Sequence, residues 1–262
     1  MPMRPNPVRQ KLRAGGTAYG IMAAEFFTPG FCQIAGTAGA EFVIFDMEHG
    51  GVGIDVLKAQ IAFARGTGIS PFARVPGLAY HLIAPVLDAG AMGIMVPMIE
   101  TREQAENLAR WCRYRPEGVR GLGFGAGHDD YRGGNIVEAM GLENDRTLVI
   151  ALIETATGIA NADAILSVPG IDVGWLGHYD LTNTMGFTAE FDHPEFHAAV
   201  DVLLAACRKY GKAPGYLATS VAMAREWRNK GIRCLCYGTD IGVFQTALFD
   251  ALRTLKADNQ PA

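Results

Sequence analysis

Eight short, continuously apolar runs recur along this chain, separated by segments with helical spacing or glycine-marked turns. They cover residues 17–24, 41–46, 71–75, 93–98, 148–153, 173–176, 213–217 and 234–237. A strand apolar on both faces is covered on both sides, as in a parallel sheet wrapped by helices. Eight such repeats in 262 residues predict an α/β fold, a single (β/α)8 TIM barrel over 1–262, with the barrel proper at about 17–257. No Ser- or Pro-rich linker divides the chain. An open doubly wound sheet is the alternative, but its G-x-G-x-x-G fingerprint is absent after the first run. The last few residues are expected to fray.

Two adjacent runs carry the most chemistry. Run 148–153 ends in Glu154, a helical stretch over 156–166 follows, and run 173–176 ends in Gly177-His178-Tyr179-Asp180. Parallel strands present their C-terminal ends on one side, so Glu154 and Asp180 are expected to be neighbours. Two facing carboxylates repel and lose hydration on burial. A divalent cation relieves both, and oxygen-only donors suit magnesium or manganese.

Barrel enzymes build their sites at the C-terminal ends of the strands. Asp46, Glu48 and His49 stand at that place on the second run, Arg74 on the third, His178 and Asp180 on the sixth and Asp240 on the eighth. Asp240 directly precedes the last helical segment and reads as its N-cap. Arg74 offers a planar, permanently charged fork for a carboxylate or a developing oxyanion. His49 can carry a proton near neutral pH. A metal, an arginine and a histidine together suit a 2-oxo acid, whose enolate the metal and Arg74 would stabilise. No lysine ends a strand to form a Schiff base, there is no G-x-S-x-G elbow, and the six histidines are too scattered for a three-histidine zinc site. The glycine-rich loop 121–130, with His128, Asp129 and Asp130, reads either as a second-substrate contact or as plain surface loop.

Composition excludes other classes. The net charge is −4 with both signs interspersed, so no nucleic-acid partner is expected. No apolar run approaches the roughly 18 residues of a membrane span, and the N-terminus lacks the apolar core of a secretory signal. Five cysteines form no metal-binding pattern, and Cys234 and Cys236 share one strand face as core thiols. A reduced cytoplasm is expected.

The segments FVIFDMEHG, ARVPG, LDAGAMGIMVPMIETREQAE, RPEGVRGLG, LIETATG and GHYDLTNTMG, in this order, resemble the HpcH/HpaI family of class II pyruvate aldolases. The resemblance implies a barrel whose last helix is exchanged between subunits, in a homo-oligomer, usually a hexamer built from dimers. It implies reversible aldol cleavage of a 4-hydroxy-2-oxo acid to pyruvate, or a close 2-oxo acid, and an aldehyde, with magnesium, manganese or cobalt as cofactor. Glu154 and Asp180 match the metal ligands, and Asp46 and Glu48 the acidic residues holding metal-bound water. His49 matches the acid/base residue, Arg74 the enolate-stabilising arginine, and Asp88 a carboxylate that raises the histidine's basicity. The segment Gly177, His178, Tyr179 and Asp180 matches the substrate-binding turn, with the amides of Tyr179 and Asp180 receiving the pyruvate carboxylate.

The departures lie around the pocket. His178 and Tyr179 replace a proline and an alanine, Leu152 replaces a glutamine, and Ile21 or Met22 stands where a tryptophan is expected. They bear on the substrate more than on the reaction class. Alternatives within reach of the same machinery are acyl-coenzyme A cleavage as in the citrate lyase branch, oxaloacetate decarboxylation, and a silent barrel that binds 2-oxo acids.

Overall fold

The computed structural model describes residues 3–257, so the expected frayed C-terminal end lies outside the described residues. Eight parallel strands close into a barrel in sequence order. They are β1 (Ala18–Ala23), β2 (Phe42–Asp46), β3 (Ser70–Arg74), β4 (Gly93–Val96), β5 (Leu148–Ile153), β6 (Val173–Leu176), β7 (Ala213–Ala218) and β8 (Cys234–Thr239). Helix α1 (Pro7–Arg13) precedes the barrel, followed by α2 (Phe31–Thr37), α3 (Ile54–Ala64), α4 (Tyr80–Asp88), α5 (Arg102–Trp111) and α6 (Ile136–Arg146). The second half carries α7 (Ala156–Ala160), α8 (Ala162–Leu166), α9 (His178–Thr184), α10 (Pro194–Lys209), α11 (Val221–Lys230) and α12 (Asp240–Ala257). The (β/α)8 expectation therefore holds. No helix among the described residues is long and apolar enough to cross a membrane.

Strand alternation sorts the apolar residues into two cores. Phe42, Ile44, Phe72, Leu148, Ile150, Leu152, Val173 and Trp175 fill the barrel interior. Val43, Phe45, Ala73, Val149, Ala151 and Ile153 face the surrounding helices. Side chains on a strand repeat every two residues. Asp46 therefore falls on the interior face with Phe42 and Ile44, Arg74 with Phe72, and Glu154 with Leu152. The polar residues are the topmost inward positions of their strands. At the opposite end α1 closes the barrel. Its Val8 and Leu12 join the interior core, and the Asn6 side chain donates to Met92 O at 2.9 Å and Arg146 O at 3.0 Å.

Local chemistry alters several expected elements. The helix expected over 156–166 breaks at Asn161, whose side chain donates to the Glu100 carbonyl. The residues after β6 form a helix, α9, instead of a loop. Asp240 does more than begin α12. Its buried carboxylate accepts the amides of Ala24, Glu25 and Phe26 as well as Ile241, tying the exit of β1 to the last helix.

Loop 121–130 turns its polar side chains inward, which corrects the second-substrate reading. Asp129 accepts the amides of Gly125 and Tyr131. Asp130 pairs with Arg4 and Arg65 at 3.1 and 3.3 Å. His128 is buried with its ring against Phe124 and its Nε2 3.4 Å from the Tyr114 hydroxyl. Beneath the loop, fully buried Glu143 meets Arg120 at 3.2 Å and Arg146 at 2.7 Å. Removing one partner of a buried ion pair leaves the other charge uncompensated. Glu143→Gln is therefore expected to cost about 3 kcal/mol of stability in a urea titration followed by circular dichroism.

Candidate active site

The site begins with a register. In the β2–β3 pairing Asp46 lies opposite Arg74, and period two turns both side chains inward. The guanidinium meets the carboxylate edge to edge, Nε to Oδ1 at 2.9 Å and Nη2 to Oδ2 at 2.6 Å. Arg74 Nη1 also lies 3.1 Å from Glu48 Oε2. Asp46 Oδ1 accepts the amides of Glu48 at 3.0 Å and His49 at 3.3 Å. One carboxylate thus anchors both Arg74 and the loop bearing the other two groups. Burial alone would raise the Asp46 pKa, but the Arg74 bonds and the two amides hold it below the ordinary value. Arg74 would lose affinity for its proton on burial, and its bonds to Asp46, with the Glu48 and Glu154 charges, reverse that.

Across the barrel mouth stands Glu154, just past the end of β5. Burial pushes its pKa up to about 7, with the Asp180 and Glu48 charges adding to the rise. Its Oε1 accepts the amide of Met98 at 2.8 Å, and Met98 has a left-handed backbone, φ 57°. A non-glycine residue in that region is uncommon and clusters at functional sites. Asp180 lies exposed in the first turn of α9. Gly177 precedes that helix because the Glu154 side chain needs its space: a Cβ on Gly177 would lie 2.5 Å from Glu154 Cβ and Oε2.

His49, Arg74, Glu154, Gly177, His178, Tyr179 and Asp180 line one cavity of about 330 Å³ at the C-terminal end of the barrel, floored by Met22, Met95, Leu152, Trp175 and Leu217. Glu48 lies beside it, and burial raises its pKa first, with Asp46 and Asp180 contributing. His49 is largely exposed, its Nε2 3.9 Å from Glu48 Oε2. Asp88 is elsewhere. It ends α4 with its carboxylate 2.6 Å from Arg120 Nη2, and the acid beside His49 within this chain is Glu48.

Sequence reasoning missed the Met98 amide, which no side-chain pattern announces. It also missed the aromatic surroundings of His178. That ring lies between Tyr179 and Tyr216 and meets Phe191 edge-on, and burial takes its pKa down to about 4.

Among the described residues no group of three or more His, Cys, Asp or Glu side chains converges as a ready metal cage. The donor set nevertheless fits a hard divalent cation. Glu154, Asp180 and Glu48 bring carboxylate oxygens to one mouth, and burial and mutual repulsion raise the pKa values of Glu154 and Glu48. Arg74, the cation among them, is engaged by Asp46. Gly177→Ala is expected to displace the Glu154 side chain and cost about 1–3 kcal/mol. Gly141→Ala, inside α6 with nothing within 4 Å, should instead be neutral or stabilising. Parallel urea titrations check both.

A family model described as HpcH/HpaI aldolase/citrate lyase matches residues 24–247. The chain is 33% identical to a hydroxypyruvate/pyruvate aldolase from Roseobacter denitrificans, covering 93% of this chain and 94% of that one. It is 30% identical to a 5-keto-4-deoxy-D-glucarate aldolase from Klebsiella pneumoniae, over 93% and 94% of the two chains. The crystal structure of an HpcH/HpaI aldolase from Desulfitobacterium hafniense superposes with a TM-score of 0.91 at 27% identity, covering 97% of each chain. With the family model spanning most of the barrel and relatives matching nearly end to end, this chain belongs to the HpcH/HpaI aldolase/citrate lyase family.

Proposed function

We propose that this protein is a divalent-metal-dependent lyase that cleaves a 4-hydroxy-2-oxo acid reversibly into pyruvate, or a close 2-oxo acid, and an aldehyde. The observation that carries the reading is the opposition, across one cavity, of the Asp46-anchored Arg74 to the carboxylates Glu154 and Asp180. The aldolase names of its relatives support it.

Glu154 and Asp180 would hold the cation, with Glu48 and Asp46 around its water. Magnesium, manganese or cobalt bound there would polarise the 2-oxo carbonyl and offset enolate charge. Arg74 is pre-oriented by its two bonds to Asp46, so its remaining N–H groups meet the substrate oxyanion without reorganising. The amides of Tyr179 and Asp180 receive the substrate carboxylate. His49 takes the proton of the 4-hydroxyl. The C3–C4 bond then breaks, releasing the aldehyde and leaving its electron pair on C3 of the enolate. Proton return to C3 completes the 2-oxo acid.

The protein acts as a homo-oligomer in this reading. Val243, Phe244, Leu248, Phe249, Leu252 and Leu255 of α12 are exposed along one helix, and a partner subunit would cover them, with exchange of that helix in a hexamer built from dimers. Five free, buried cysteines fit a reducing, cytoplasmic setting.

Proton–deuteron exchange at the pyruvate methyl group, followed by NMR, tests the enolate half of the reaction without needing the right aldehyde. Exchange is expected with added magnesium, manganese or cobalt and is expected to vanish with EDTA; its absence with every cation sinks the proposal. Asp180→Asn should abolish metal-dependent exchange with little change in thermal stability, and wild-type exchange would remove it from the metal set. Arg74→Ala should slow exchange by about 10²- to 10³-fold at saturating metal, measured in the same assay.

A further inference from the structure

The proposed chemistry gives the imidazole of His178, a residue lining the cavity, no task. The residue is 6% exposed. Tyr216 stacks on it at 4.8 Å and 29°, Tyr179 lies at 4.6 Å and 40°, and Phe191 meets it at 5.1 Å and 69°. Tyr216 is braced in turn by Trp227 at 4.9 Å. Three rings therefore fix the imidazole in place. None of them hydrogen-bonds it, and among the described residues neither ring nitrogen has a partner; Thr182 Oγ1 bonds the backbone carbonyl of His178, not the ring. Nor are the nitrogens sealed inside protein, and His178 is among the residues that line the cavity with Glu154 and Asp180.

Buried polar groups in folded proteins are hydrogen-bonded. A rigid imidazole left unpartnered at a substrate cavity is satisfied by what binds there. A neutral imidazole offers one N–H donor and one acceptor nitrogen. A hydroxyl complements either nitrogen, because it both donates and accepts. A carboxylate only accepts, and the Tyr179 and Asp180 amides already receive it. An alkyl group does neither and would leave the ring unsatisfied on binding, which a site of this kind resists strongly.

We propose that His178 is a specificity-determining residue that hydrogen-bonds a hydroxyl group of the substrate, selecting hydroxylated over deoxygenated substrates. The inference rests on the aldolase reading for its choice of substrates. The hydroxyl belongs either to the 2-oxo acid, as at C3 of hydroxypyruvate, or to the aldehyde carbon next to the carbonyl, as in glycolaldehyde.

The test compares magnesium-loaded wild type with His178→Phe, which keeps the ring stack and removes both nitrogens, and with His178→Asn, which supplies a donor and an acceptor without the ring. Two ratios of kcat/KM are measured. One is hydroxypyruvate over pyruvate with a fixed aldehyde; the other is glycolaldehyde over acetaldehyde with pyruvate. One ratio is expected to fall by about tenfold or more in His178→Phe and to recover in part in His178→Asn. The ratio that falls identifies the partner carrying the hydroxyl. Both ratios unchanged in His178→Phe overturn the proposal. A second readout needs no turnover and no variant: the ¹⁵N–¹H ring correlations of His178 in metal-loaded wild type. They are expected to shift with hydroxypyruvate or glycolaldehyde and to stay in place with pyruvate and acetaldehyde. Ring signals unmoved by either hydroxylated compound also overturn it. Wild type without metal-dependent pyruvate exchange defeats the aldolase reading instead, and the ring signals then still decide the hydroxyl contact.

Discussion

The site depends on the ion pair between Asp46 and Arg74. Both side chains are largely buried, 2% and 13% exposed, and removing two charges from water costs several kcal/mol per ion unless geometry returns it. Here it is returned by a two-point bond that the strand register supplies, because β2 and β3 place the two residues opposite each other on the inward face. Asp46 then spends its remaining acceptor capacity on the amides of Glu48 and His49. The guanidinium, the loop and the histidine are therefore positioned by one carboxylate. Replacing either partner would leave the other buried with its charge uncompensated, so the pair acts as a unit.

That arrangement sets the charge balance of the mouth. With Arg74 engaged by Asp46 and Glu48, the carboxylates of Glu154 and Asp180 face the cavity with no ion-pair partner among the described residues. Glu154 registers the imbalance, its pKa pushed up to about 7 by burial and by its acidic neighbours. A hard cation would relieve both, which is the physical content of the proposed metal requirement. The other wall is different in kind. Leu152, Trp175, Met95, Met22 and Leu217 are apolar, and His178 provides a single neutral polar edge among aromatic rings. The cavity thus joins a charged half suited to an enolising 2-oxo acid to an apolar and aromatic half.

Much of the first half was legible in the chain itself. Asp46, Arg74 and Glu154 each end an apolar run with the parity of its interior residues, so strand periodicity alone aims them at the barrel axis. Asp180 follows the next strand in the same βαβ unit. The second half was not legible. The chain marks His178 as a departure beside the pocket but not the rings that cage it, which come from β7, from Tyr179 and from Phe191 before α10. Nor does local pattern reveal that Asp88 meets Arg120 rather than His49, that Asp240 binds the amides after β1, or that the acids of loop 121–130 turn inward to anchor it. Each depends on a partner distant in sequence.

The sequence by itself determined the barrel, the parity that points Asp46, Arg74 and Glu154 inward, and the donor types of the site, because strand period, strand count and residue chemistry are local properties. Only the tertiary structure decided which of those groups share a cavity, which are consumed by structural bonds, and which is left unpartnered. Those outcomes follow from register and packing between segments far apart in the chain, where a shift of one residue would turn an inward side chain to the opposite face.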